Sequence, residues 1–180
     1  MRKIALILGF VYVLLFPGMA HAQTVQIFGG YSYLRPGVMP GFSTHPNLSG
    51  WEVAGTYNPL KWIGVTGDFS GDYGTLNGVG IHLQNYLFGP QARMPGRFSP
   101  FAHVFAGESQ GDVLGTSASS SSLALEFGGG IDVSLVPAST TSFGSPSLSF
   151  RPIQIDDLRT QFGSTRQNSL RVSIGLVLNF

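Results

Sequence analysis

Cysteine is absent from the 180 residues, so neither a disulfide framework nor a thiolate metal site is available to this chain. Charged residues are scarce, only 11% of the total, and no basic tract follows the first three residues. That shortage argues against nucleic acid as a partner. A helix-length apolar run is also missing. The longest, Ile4 to Phe16, spans 13 residues where about 20 are needed to cross hydrocarbon as a helix. With Met1-Arg2-Lys3 before it and Ala20-His21-Ala22 after it, this run predicts a secretory leader over 1–22, with Gln23 opening the mature chain. Removing it leaves 158 residues, eight basic against nine acidic, a formal charge of −1. The slight basicity of the whole therefore belongs to the leader.

What the chain does have is glycine, 25 residues of it, and alternation. The clearest case is the end, where Leu170, Val172, Ile174, Leu176, Leu178 and Phe180 interleave with Arg171, Ser173, Gly175, Val177 and Asn179. Side chains along a strand point alternately to opposite faces, so one set can meet lipid and the other a polar lumen. Leu123, Leu125, Phe127, Ile131 and Val133 stand in the same relation to Ala124, Glu126, Gly128, Gly130 and Asp132. Eight such segments are predicted, at 24–34, 48–57, 62–71, 80–92, 99–109, 122–134, 148–160 and 169–180. Each is near the roughly 9 to 11 residues of a membrane-crossing strand. The expected fold is all-β, an eight-stranded antiparallel up-and-down transmembrane β-barrel occupying 23–180 as one domain.

An even strand count puts both termini in the periplasm. Tight Pro-bearing connections at 58–61 and 94–98 then become periplasmic turns, and 35–47, 72–79, 110–121 and 161–168 become external loops. A serine-rich run, 117–122, is expected as flexible loop. The long 136–147 connection falls on the periplasmic side, without a reason in the sequence. Tyr31, Tyr33, Trp51, Tyr57, Trp62, Tyr73, Tyr86 and Phe180 lie near strand ends, where interfacial girdles would sit.

Ionisable residues within strands are the functional candidates, because Arg or Lys facing mid-bilayer costs about 2 to 4 kcal/mol. Alternation turns Glu52, Asp68, His82, His103, Glu126, Asp132 and Arg171 inward. Asp156 is expected to join them with Arg151 and Gln154, which requires an irregularity near Pro152 or an Arg151 close to the rim. An eight-stranded barrel is just wide enough to be filled by side chains. The expectation is a buried polar network that plugs the lumen; a narrow pore for small ions or solutes is the alternative. Catalysis is not expected: no Gly-x-Ser-x-Gly elbow occurs, and Phe127-Gly128-Gly129-Gly130-Ile131 lacks the Lys-Ser/Thr of a phosphate loop. Neither a cofactor nor a metal is expected, since no pair of histidines stands at i, i+4. A lipid-modifying barrel enzyme and adhesion through external loops are the remaining alternatives.

Phe28-Gly29-Gly30-Tyr31-Ser32-Tyr33, Gly50-Trp51-Glu52, Lys61-Trp62-Ile63-Gly64-Val65, Phe88-Gly89-Pro90, Pro100-Phe101-Ala102-His103 and Gly128-Gly129-Gly130-Ile131-Asp132 follow one another in order. Together they resemble the small OmpA-like outer-membrane β-barrel proteins. The final Ser173-x-Gly175-x-x-Leu178-x-Phe180 is similar to the signal that the barrel assembly machinery reads in that family. The resemblance implies a bacterial outer-membrane location and assembly through Gly175, Leu178 and Phe180. It also implies lipid and lipopolysaccharide as surroundings, and a monomer. The family's peptidoglycan-binding domain is not expected, because the sequence stops at Phe180.

Overall fold

A computed structural model describes residues 24–37, 47–76, 79–113, 119–136, 147–162 and 165–180. The leader and the 136–147 connection, beyond its flanking strand ends, lie outside the described residues, as do most of 35–47 and the tips of the other loops. Eight strands account for nearly all of the described chain: β1 (Thr24–Arg35), β2 (Leu48–Leu60), β3 (Ile63–Leu76), β4 (Val79–Arg93), β5 (Phe98–Val113), β6 (Ser119–Val136), β7 (Ser147–Phe162) and β8 (Thr165–Asn179). Each pairs antiparallel with its sequence neighbours, and β8 closes on β1, so the sheet is a closed up-and-down barrel without an edge.

The expected segments are all present but too short. At 12 to 18 residues, the strands run well past the length needed to cross a bilayer. β3 and β4 pair out to Leu76 and Val79, and β7 and β8 out to Phe162 and Thr165. Much of 72–79, 110–121 and 161–168 is therefore strand and not loop. Ser119 to Ser122 open β6 and pair with Ser109 to Asp112 of β5.

Alternation decides which side chains fill the interior. On β8, Arg171, Ser173 and Val177 are buried while Leu170, Ile174, Leu176 and Leu178 are exposed. The outer face is apolar: Val53, Phe69, Phe88, Val104, Phe127 and Ile155 are all exposed. Of the eight expected girdle aromatics, all but the half-buried Tyr57 are exposed, Trp62 at 57%. Near the strand tips opposite the termini the outer face turns polar, with an Arg159–Asp157 ion pair at 2.8 Å and a Gln110 to Glu108 hydrogen bond at 3.3 Å.

One break in the alternation matters. Between Arg151 and Gln154 three steps on β7 meet two on β8, which makes a bulge around Pro152. Proline has no N–H to give to a ladder and is suited to such a position. The extra residue lets Arg151 and Gln154 both point inward, although their numbers differ in parity.

Candidate functional site

The interior is layered along the barrel axis. At the end carrying the start of β1 and Phe180, a polar vestibule of about 300 Å3 is lined by Lys61, Arg93, Ser99, Asp132, Ser149 and Asn179 among others. Beneath it Arg151 holds Asp132 in a two-pronged ion pair, Nε to Oδ1 at 2.7 Å and Nη2 to Oδ2 at 3.2 Å. The Arg151 guanidinium lies between the rings of Phe28 and Phe101, 4.2 and 4.1 Å from their centroids. Glycines make room for that clamp. A Cβ on Gly30 or Gly175 would strike the Phe28 ring, and one on Gly130 would strike Phe101.

Arg171 sits at the centre, fully buried. Its Nη2 donates to Glu126 Oε1 at 2.7 Å, its Nη1 to Asp68 Oδ1 at 3.2 Å and Ser70 Oγ at 3.0 Å, and its Nε to Asp156 Oδ2 at 3.1 Å. Glu52 Oε2 completes the ring at 3.6 Å from Nε. Gln154 ties this layer to the clamp below: its Nε2 donates to Glu52 and Asp156 at 2.9 and 2.8 Å, and its Oε1 accepts from Arg151 at 2.6 Å. Ser173 donates to Glu52. Four carboxylates therefore share one guanidinium, with amide and hydroxyl donors filling part of the remainder.

Above the charged layer, away from the termini, Leu34, Leu48, Leu87, Phe105, Ala124 and Leu158 pack together as a buried apolar cluster. Phe105, Ala124 and Leu158 each stand two residues from His103, Glu126 and Asp156 on the same strands, directed away from the terminal end. The charged layer is thus flanked by hydrocarbon on one side and by an arginine-aromatic clamp on the other.

Nine of the ten expected lumen residues are inside: Glu52, Asp68, His103, Glu126, Asp132, Arg151, Gln154, Asp156 and Arg171 are all buried. His82 is a correction. It pairs with Tyr73, whose side chain is exposed, and the two rings stack at 4.2 Å on the outer face. Asp72, which falls in the expected 72–79 loop, is instead a buried residue of β3, with Ser32 donating to it at 2.9 Å. The apolar cluster and the Phe28–Arg151–Phe101 clamp were not anticipated. A usable signal for the clamp was the glycine at 30, 130 and 175, each an inward position beside an inward aromatic.

The closed eight-strand path is shared by solved structures. The attachment invasion locus protein Ail of Yersinia pestis superposes with a TM-score of 0.60 at 17% identity, covering 89% of this chain and 100% of that one. The fold is that of the small outer-membrane barrels. Neisserial surface protein A superposes at 0.62 with 12% identity over 86% of this chain and 95% of its own. OprG of Pseudomonas aeruginosa does so at 0.54 with 14% identity over 88% and 96%. No protein-family model and no curated protein matches the sequence.

Proposed function

We propose that this chain is a structural barrel of the bacterial outer membrane, with a plugged polar lumen and no catalytic role. The observation that carries the reading is Arg171, locked by four carboxylates between an apolar layer and an aromatic clamp. The exposed apolar face, with aromatics toward its margins, supports contact with lipid and lipopolysaccharide and a monomeric barrel. Both termini then lie on the periplasmic side, and Gly175, Leu178 and Phe180 are presented to the barrel assembly machinery. The burial of His103 behind Phe105 and Leu158 supports the absence of lipid chemistry, since a lipid substrate has no path to it.

Planar-bilayer recording tests the closed lumen. A wild-type barrel should show no steady conductance, because moving an ion through requires breaking buried ion pairs and crossing the apolar layer. Persistent ion-selective conductance would replace this reading with that of a narrow pore.

A further inference from the structure

Three lumen groups, on three neighbouring strands, carry side-chain atoms that make no aligned hydrogen bond. His103 of β5 and Asp156 of β7 both pair with Gly128 of β6, and their side chains meet over it. Gly128 leaves that space open, since a Cβ there would collide with Asp156 Oδ1. Glu126 enters from two residues along β6. Arg171 grips Glu126 and Asp156 through Oε1 and Oδ2. Glu126 Oε2 and Asp156 Oδ1 are left buried with no hydrogen-bond partner, and so are both ring nitrogens of His103.

His103 Nε2 lies 3.1 Å from Asp156 Oδ1 and 3.5 Å from Glu126 Oε1, near enough for ion pairing but without the alignment of a hydrogen bond. Donors arranged around a metal have this relation. Tetrahedral bonds of about 2.0 to 2.2 Å put ligand atoms roughly 3.4 Å apart, flanking the imidazole lone-pair axis and not on it. Ligand atoms of all three residues fall within 4.8 Å of one another. The ring is held by stacking on Phe105 at 4.1 Å and by Phe101 at 6.0 Å. Charge argues the same way. Four carboxylates surround one guanidinium, so that even with the His103 imidazole counted as a cation negative charge is in excess here, and a divalent cation would offset it.

We infer that His103, Glu126 and Asp156 form a divalent transition-metal site of the nitrogen-oxygen class that zinc occupies, with water at the fourth position. Arg171 orients the two carboxylates from behind, and Gly128 supplies the room. The apolar layer bars late entry, so the ion is taken up as the barrel folds. The inference depends on the barrel geometry and not on whether the lumen conducts, so recordings and metal analysis can fail separately.

Refolding the full chain into detergent micelles with Zn2+, with Co2+ or with a chelator, followed by desalting and elemental analysis, tests it. The folded wild type should retain a single ion per barrel, and the Co2+ form should show the visible bands of tetrahedral coordination. His103→Gln should retain metal on the order of 100-fold more weakly while still shifting with heating on a gel. Gly128→Ala should lose the Co2+ bands. A heat-modifiable wild type with no retained ion and no bands overturns the site, whatever the variants do, and leaves protons to balance the carboxylates. Equal retention in wild type and His103→Gln overturns it as well, since the ion would then lie elsewhere.

Discussion

At the scale of single residues, Arg171 is the group on which most of the interior depends. Replacing it with Met removes the counter-charge of Glu52, Asp68, Glu126 and Asp156 together. Breaking a buried pair by removing one partner costs about 3 to 5 kcal/mol, chiefly because charge is left uncompensated. Arg171→Met should lower unfolding stability by about that amount, read from the urea midpoint of Trp51 and Trp62 fluorescence in lipid vesicles. Arg171→Lys should fall between, since an ammonium keeps the charge but lacks the planar fork that reaches several acceptors at once. A midpoint unchanged in Arg171→Met would remove the charged layer from the account of stability. The residues of this network were legible because ionisable groups inside apolar-alternating strands have only the lumen to face. His82 was misread where that logic lapses. Near the tip of β4 the outer face is polar as well, as Gln84 and its hydrogen bond from Tyr86 at 2.8 Å illustrate, so polarity there no longer reports direction.

Among the elements, β7 carries the most information in the least regular form. Its bulge at Pro152 reconciles Arg151 with Gln154 and Asp156, and the sequence contained the conflict as well as the proline that resolves it. Deleting Pro152 should make the ladder regular and force one side of the strand outward. Turning Arg151 toward lipid costs about 2 to 4 kcal/mol at mid-depth, and turning Gln154 and Asp156 outward dismantles the charged layer. The heat-modifiable fraction after refolding should therefore drop sharply on deletion of Pro152, while Pro152→Ala, which keeps the residue count, should refold nearly as wild type. Equal refolding of the two would show that the bulge does not set the register. The apolar layer was hidden for the opposite reason. Leu34, Leu48, Leu87 and Leu158 are hydrophobic residues at inward positions, and a rule that sends hydrophobic side chains outward cannot find them. Strand lengths were underestimated because alternation fades where both faces become polar, although backbone pairing continues.

For the whole molecule, the seam between β1 and β8 is built like every other pair in the barrel. Val25 and Phe180 exchange two backbone hydrogen bonds, at 3.2 and 2.8 Å, and pairing continues from Gln26 with Asn179 to Arg35 with Leu170. The first described residues of β1 and Phe180 are thus close enough to be spliced by a short linker, and the barrel offers another opening on the same side at the 94–97 connection. A circular permutant starting near Arg97 and ending near Arg93 keeps all eight pairings and both new ends on the terminal side. It should refold in detergent to a heat-modifiable barrel with stability near that of the parent. In cells it should reach the outer membrane poorly, because its last strand ends in Gln91-Ala92-Arg93 and not in Leu178-Asn179-Phe180. Equal cellular yield would detach the address from the final strand, and failure to refold in detergent would mean that the order of synthesis is part of the fold. Cutting the ring elsewhere separates closure, which the final strand provides through its pairing with β1, from delivery, which the proposed function assigns to the same residues.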